Sequence, residues 1–124
     1  MEKVFMLLGS FFMFIGVGAG AFGAHALADY FEKYPDLVST YNTAVRYHLI
    51  HGVALIAVAW AAERWPGNLT TWAGILIAIG LVIFSGSLYL LVATRLKWLG
   101  AITPIGGVAF LAGWLCLFLS VLRS

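Results

Sequence analysis

A chain of 124 residues that is 63% hydrophobic and only 10% charged, with mean hydropathy +1.00, falls outside the range of water-soluble domains, where about 25% of residues are charged. Its formal charge of +2 is too small and too dispersed for a nucleic-acid surface. The single cysteine, Cys116, excludes a disulfide framework and Cys-x-x-Cys redox chemistry. Four apolar runs, at about 4–28, 44–63, 69–93 and 98–121, are long enough to cross a bilayer as helices. The alternating ten-residue pattern of a membrane barrel is missing. The predicted fold is therefore all-α: one domain, residues 1–124, forming an integral-membrane, four-helix antiparallel bundle.

The first run opens with Met1-Glu2-Lys3 and closes near Ala24-His25-Ala26, which resembles a signal-peptide cleavage site. Glu2 weakens the basic start and the apolar run exceeds an ordinary signal core, so the run is read as a retained span. The connection at about 29–43 mixes Asp29, Glu32, Lys33 and Asp36 with Tyr30, Phe31 and Tyr34, the pattern of an interfacial segment with a short helix ending before Pro35. Glu63-Arg64-Trp65-Pro66-Gly67-Asn68 makes a turn, with Asn68 or Thr70 as the expected cap of span 3. Thr94–Trp98 permits only a tight antiparallel connection. Trp65, Trp72 and Trp98 mark span ends, as an aromatic belt requires. Basic residues divide almost evenly between the two sides, with a slight lean toward cytoplasmic termini.

Small residues form stripes at helical spacing: Gly9, Gly16, Gly20 and Gly23 on span 1, Thr71, Gly74, Ala78 and Ser85 on span 3, and Gly106, Ala109, Gly113, Cys116 and Ser120 on span 4. Such stripes let helices approach closely in lipid. Plain bundle packing is their first explanation; a homo-oligomer through the glycine-rich faces is the second. The span 1 stripe lies opposite His25, so an inward His25 would turn the glycines toward lipid or a second protomer.

Threading the spans up and down brings the sparse polar residues toward one membrane face. His25, Tyr47, His51, Ser85, Tyr89 and Thr103 are the candidate cluster. Asp29 follows His25 at i+4, Tyr47 precedes His51 by four, and Ser85 precedes Tyr89 by four, while Ser87 is expected to face elsewhere. Pro104 removes a donor and frees the Gly100 carbonyl beside Thr103 and Gly107. Three readings follow. The six side chains bond one another and only fix the packing; or they line a site for a lipid headgroup, quinone or other amphipathic molecule; or His25, His48 and His51 hold zinc or haem. The metal reading lacks an HExxH, a second cysteine and any carboxylate at span depth, so no metal or other cofactor is assigned. A proton-coupled multidrug exporter would want an intramembrane carboxylate, which is lacking as well.

The segments Gly20–Leu27, Tyr47 with His51, Phe84-Ser85-Gly86-Ser87-Leu88-Tyr89, Thr103-Pro104-Ile105-Gly106-Gly107 and Leu111-Ala112-Gly113-Trp114 resemble, in order and over essentially the whole chain, the domain of unknown function 423. That family is similar to transmembrane protein 256 of eukaryotes. The resemblance implies a multi-pass protein of the bacterial plasma membrane, puts weight on His25, Tyr47 and His51 but not on His48, and brings no reaction with it. The functional expectation is a non-enzymatic membrane module, with membrane lipids as partners, whose polar cluster binds a lipid or amphipathic small molecule. The alternatives are a structural or accessory subunit of a membrane complex, and a small transporter or metal-binding protein.

Overall fold

The computed structural model describes residues 1–124. Four long helices cross antiparallel: α1 (Glu2–His25), α3 (Leu37–Arg64), α4 (Asn68–Thr94) and α5 (Thr103–Leu122). A short α2 (Ala28–Lys33) lies in the first connection, and a 3₁₀ turn over Lys97–Ala101 leads into α5. Each long segment is apolar enough to span a membrane, counting the 3₁₀ turn with α5. Among the connections, only the turn before α4 needs a glycine: Gly67 has φ 147°, open to a residue without a Cβ. Asn68 and Thr70, expected as caps, do not cap; Gly67 occupies that position, and the Thr70 hydroxyl instead donates to the Trp65 carbonyl at 2.6 Å.

The helices pack in a chain of neighbours, α1 on α3, α3 on α4 and α4 on α5. Phe5 and Phe110 reach inward from the outer two to join a core of Ala54, Leu55, Val58, Ala59, Ile77 and Leu81. In lipid the apolar effect does not drive helix against helix, so close approach carries much of the association. The glycine stripes serve it inside the chain. A Cβ on Gly9 would stand 2.7 Å from Ile56 Cγ1 and 3.0 Å from the Gly52 carbonyl; one on Gly16 would stand 2.8 Å from Leu49; one on Gly23 would run into the Tyr41 ring. On α5, Gly113 meets Ile77 and Gly106 meets the Phe84 backbone.

This reverses the expected facing of α1. Its glycines look at α3 and His25 is exposed at the helix end, so a homo-oligomer would have to use a surface other than these stripes. The second span also starts seven residues earlier than the expected 44. Residues 37–43 are too polar to read as span, yet they continue the helix, and Leu37 and Tyr41 are buried against Val92.

Candidate functional site

The early start of α3 puts His51 at the midpoint of that 28-residue helix, roughly 21 Å from its first residue at 1.5 Å per residue. His48, one turn earlier, bonds the carbonyl of Phe12, which stands roughly 20 Å along α1 from His25. The polar residues therefore descend through one half of the bundle instead of meeting at a common depth.

None of the six candidates makes a side-chain to side-chain hydrogen bond with another. Thr103 pairs with Ser87 at 2.5 Å, and Ser87 also donates to the Phe84 carbonyl at 2.9 Å. Ser85 donates to the Ala44 carbonyl of α3 at 2.9 Å, fully buried. Tyr89 pairs with His48 Nδ1 at 2.9 Å, and the other ring nitrogen of His48 lies 2.8 Å from the Phe12 carbonyl. A carbonyl only accepts, so that Nε2 carries the proton and Nδ1 accepts from the Tyr89 hydroxyl. His48 thus ties α1, α3 and α4 together. Three side chains outside the candidate set, His48, Ser87 and Trp114, complete its hydrogen bonds.

His51 has the opposite tautomer. The Trp114 indole donates to Nε2 at 3.0 Å, which requires Nδ1 to hold the proton and donate to the Tyr47 carbonyl at 2.9 Å. The ring stacks on Phe110 with centroids 3.5 Å apart, 10° from parallel. His25 is separate from both. Its Nδ1 lies 2.9 Å from the Ala21 carbonyl of its own helix, and the residue is exposed. The three imidazoles do not converge, and no group of His, Cys, Asp or Glu is arranged to hold a metal ion. Every buried polar side-chain atom has a hydrogen-bond partner.

Pro104 sits in the first turn of α5, where a missing amide donor costs nothing. Beside it, a groove of about 450 Å³ lies between α3 and α5. Tyr47, His51, Phe84, Pro104, Phe110 and Trp114 supply most of its wall, and Gly107 leaves space at its floor. Tyr47 packs on Phe84 at 4.5 Å between ring centroids, but its hydroxyl makes no hydrogen bond within the chain. Trp114 was visible in sequence only as part of a motif; the clue to its role is an indole N–H at mid-span, which needs an acceptor.

Residues 19–107 match the family described as a protein of unknown function, DUF423. The UPF0382 membrane protein YwdK of Bacillus subtilis (strain 168) is 43% identical over 123 residues, covering 98% of both chains. A UPF0382 membrane protein of Staphylococcus haemolyticus (strain JCSC1435) is 44% identical over 122 residues, covering 98% of this chain and 97% of its own. No solved structure matches the chain. With this length of alignment and four spanning helices, the chain belongs to the DUF423 family of membrane proteins.

Proposed function

We propose that this chain is a non-enzymatic membrane module that holds the apolar chain of a lipid or similar amphipathic molecule in the α3/α5 groove. The observation that carries this reading is the contrast between Tyr47 and its neighbours. His51 and Trp114 spend all their polar atoms on fixing an aromatic wall, while the Tyr47 hydroxyl points no hydrogen bond at the protein. An unpaired hydroxyl within a span gains most from an acceptor carried in by a ligand, such as the ester carbonyl at the head of an acyl chain. His51 is then a positioning residue; Ser85, Tyr89 and Thr103 hold the helices beneath the site.

The test is photolabelling of the full chain in nanodiscs by a phosphatidylcholine with a photoactivatable acyl chain. Adducts concentrated on Tyr47, Phe110, Leu111 and Trp114 are expected, and Gly107→Phe, which fills the groove floor, should remove them without lowering the melting temperature. Adducts spread evenly over the outer faces of α1 and α5 would end the reading. They would favour the alternative, a structural or accessory subunit, whose support is the complete pairing of the buried polar side-chain atoms. Location in the bacterial plasma membrane draws support from the Bacillus and Staphylococcus relatives named as membrane proteins. Cytoplasmic termini rest on Lys3, Arg64 and Arg123 alone; a C-terminal reporter that fluoresces only in the cytoplasm tests them.

A further inference from the structure

Thr40 and Leu91 lie two helical turns from Tyr47 and Phe84, on the same faces of α3 and α4 and toward the α2 end. Residues seven apart share a helix face and stand roughly 10 Å apart along the axis. Thr40 and Leu91 belong to a second recess, of about 370 Å³, which Leu37, Tyr34, Asp36, Arg95 and Lys97 complete. The recess and the aromatic groove are therefore aligned, one at the end of the spans and one deeper in.

The recess carries two cations without ionic partners. The only ion pair in the molecule joins the N-terminus to Glu2, so neither Arg95 nor Lys97 is within pairing distance of Asp36. Arg95 ends α4 with φ 61° and ψ 22°, and it is the only residue other than glycine with positive φ. That conformation is unfavourable for a residue with a Cβ. Here it brings the guanidinium over the Tyr34 ring, 4.6 Å from the centroid. The contact holds the guanidinium beside the ring, and its N–H groups, which make no hydrogen bond within the chain, are available to an acceptor. A guanidinium held in this way, an ammonium and the nearby Thr40 and Tyr34 hydroxyls form a donor set matched to a phosphate. Asp36 opposes it with one negative charge against two positive ones.

We propose that this recess holds the phosphate of an anionic amphiphile whose chain runs inward along the α3/α5 groove. The proposal rests on the groove reading above and adds to it the charge and chemistry of the headgroup.

The full chain in phosphatidylcholine nanodiscs, labelled with the photoactivatable phosphatidylcholine, is challenged with phosphatidylglycerol, with further phosphatidylcholine, and with inorganic phosphate. Phosphatidylglycerol should displace the probe from the groove at about tenfold lower concentration than phosphatidylcholine does, a preference worth about 1.4 kcal/mol. The double variant Arg95→Gln/Lys97→Gln should lose that preference yet keep groove labelling by the neutral probe. Arg64→Gln, at the other end of the bundle and also lining a recess, should keep it. Should the double variant fail to fold, Lys97→Gln alone, at an exposed position, should reduce the preference. Equal potency of the two lipids, a preference that survives removal of both cations, or the same loss in Arg64→Gln overturns the proposal. Displacement by millimolar inorganic phosphate assigns the recess to a soluble anion and overturns it as well. Loss of groove labelling by the neutral probe in the unmodified chain is a different failure, that of the groove reading itself.

Discussion

Toward the termini, Phe5, Leu55, Val58 and Ile77 close the bundle almost without polar contact; toward α2, His48, Ser85, Ser87 and Tyr30 join the same four spans through hydrogen bonds. The polar contact of the first half is Thr70 with Ser120 and Trp65, at its very end. In the second half, many donors reach across to main-chain carbonyls: Tyr30 to Val92 at 2.5 Å, Tyr41 to Ala19, His48 to Phe12 and Ser85 to Ala44. A helix carbonyl has two lone pairs and spends one within the helix, so it can take such a bond without loss. Neither half can rely on apolar burial to hold helix against helix, because lipid tails are equally apolar. One half uses shape almost alone; the other adds direction to it, with Gly16, Gly23 and Gly106 still at close approaches there. Both halves leave recesses open, but the aromatic groove lies beside the directional bonds.

The sharpest way to break the contrast is to spoil the shape-based contact that has no room to yield. A Cβ on Gly106 would stand 2.5 Å from the Phe84 nitrogen and 2.8 Å from its Cα, both backbone atoms. Gly106→Ala should therefore force α4 and α5 apart and destabilise by about 3 kcal/mol. Gly86→Ala meets nothing within 4 Å, and the better helix propensity of alanine should leave it neutral or more stable by up to about 1 kcal/mol. Unfolding of the two variants in bicelles measures the difference, and equal stability would mean that α4 and α5 are not in contact at Phe84.

The directional half has its largest single dependence on His48. His48→Phe keeps an aromatic ring of similar size but leaves the Phe12 carbonyl with only its intrahelical bond and the Tyr89 hydroxyl without a partner. The expected cost is about 2 kcal/mol. Adding Tyr89→Phe should recover part of it, since removing both members of a pair costs less than orphaning one. Strict additivity in that double-mutant cycle would show that His48 and Tyr89 do not bond. Ser85→Ala comes next, at about 0.6 kcal/mol, the average for a hydrogen bond between membrane helices.

The architecture was legible because length and hydropathy dominate a membrane chain; the four helices follow the four apolar runs. The polar arrangement was less so, for reasons visible in particular residues. Tyr41, Asn42 and Thr43 read as loop and hid seven residues of α3, which moved His51 from near a span end to the middle. Ser87 was expected to face away from the cluster; it does face away from Ser85, toward α5, where Thr103 waits for it. Helical spacing gives the angle between two side chains but not which neighbour occupies that angle. The resemblance gives His48 no weight, and one of its two partners is a main-chain carbonyl on α1, which no side-chain pattern reveals.

His25 offers the finest test, because sequence made it the anchor of the cluster and the structure sets it apart. It is the last residue of α1, and its ring bonds only the Ala21 carbonyl one turn back. With the side chain exposed, His25→Ala removes no bond between helices, and a surface change of this kind is worth within about 0.5 kcal/mol. His51→Ala, by contrast, strips the Trp114 indole of its acceptor and uncovers Phe110. If His25→Ala destabilised the bundle as much as His51→Ala, the exposed position of His25 would be wrong. The glycine stripe of α1 would then have to turn outward, and the packing of α1 on α3 would fail with it. If stability and groove labelling are both unchanged, His25 belongs neither to the helix packing nor to the groove, in keeping with an Nε2 that has no partner within the chain.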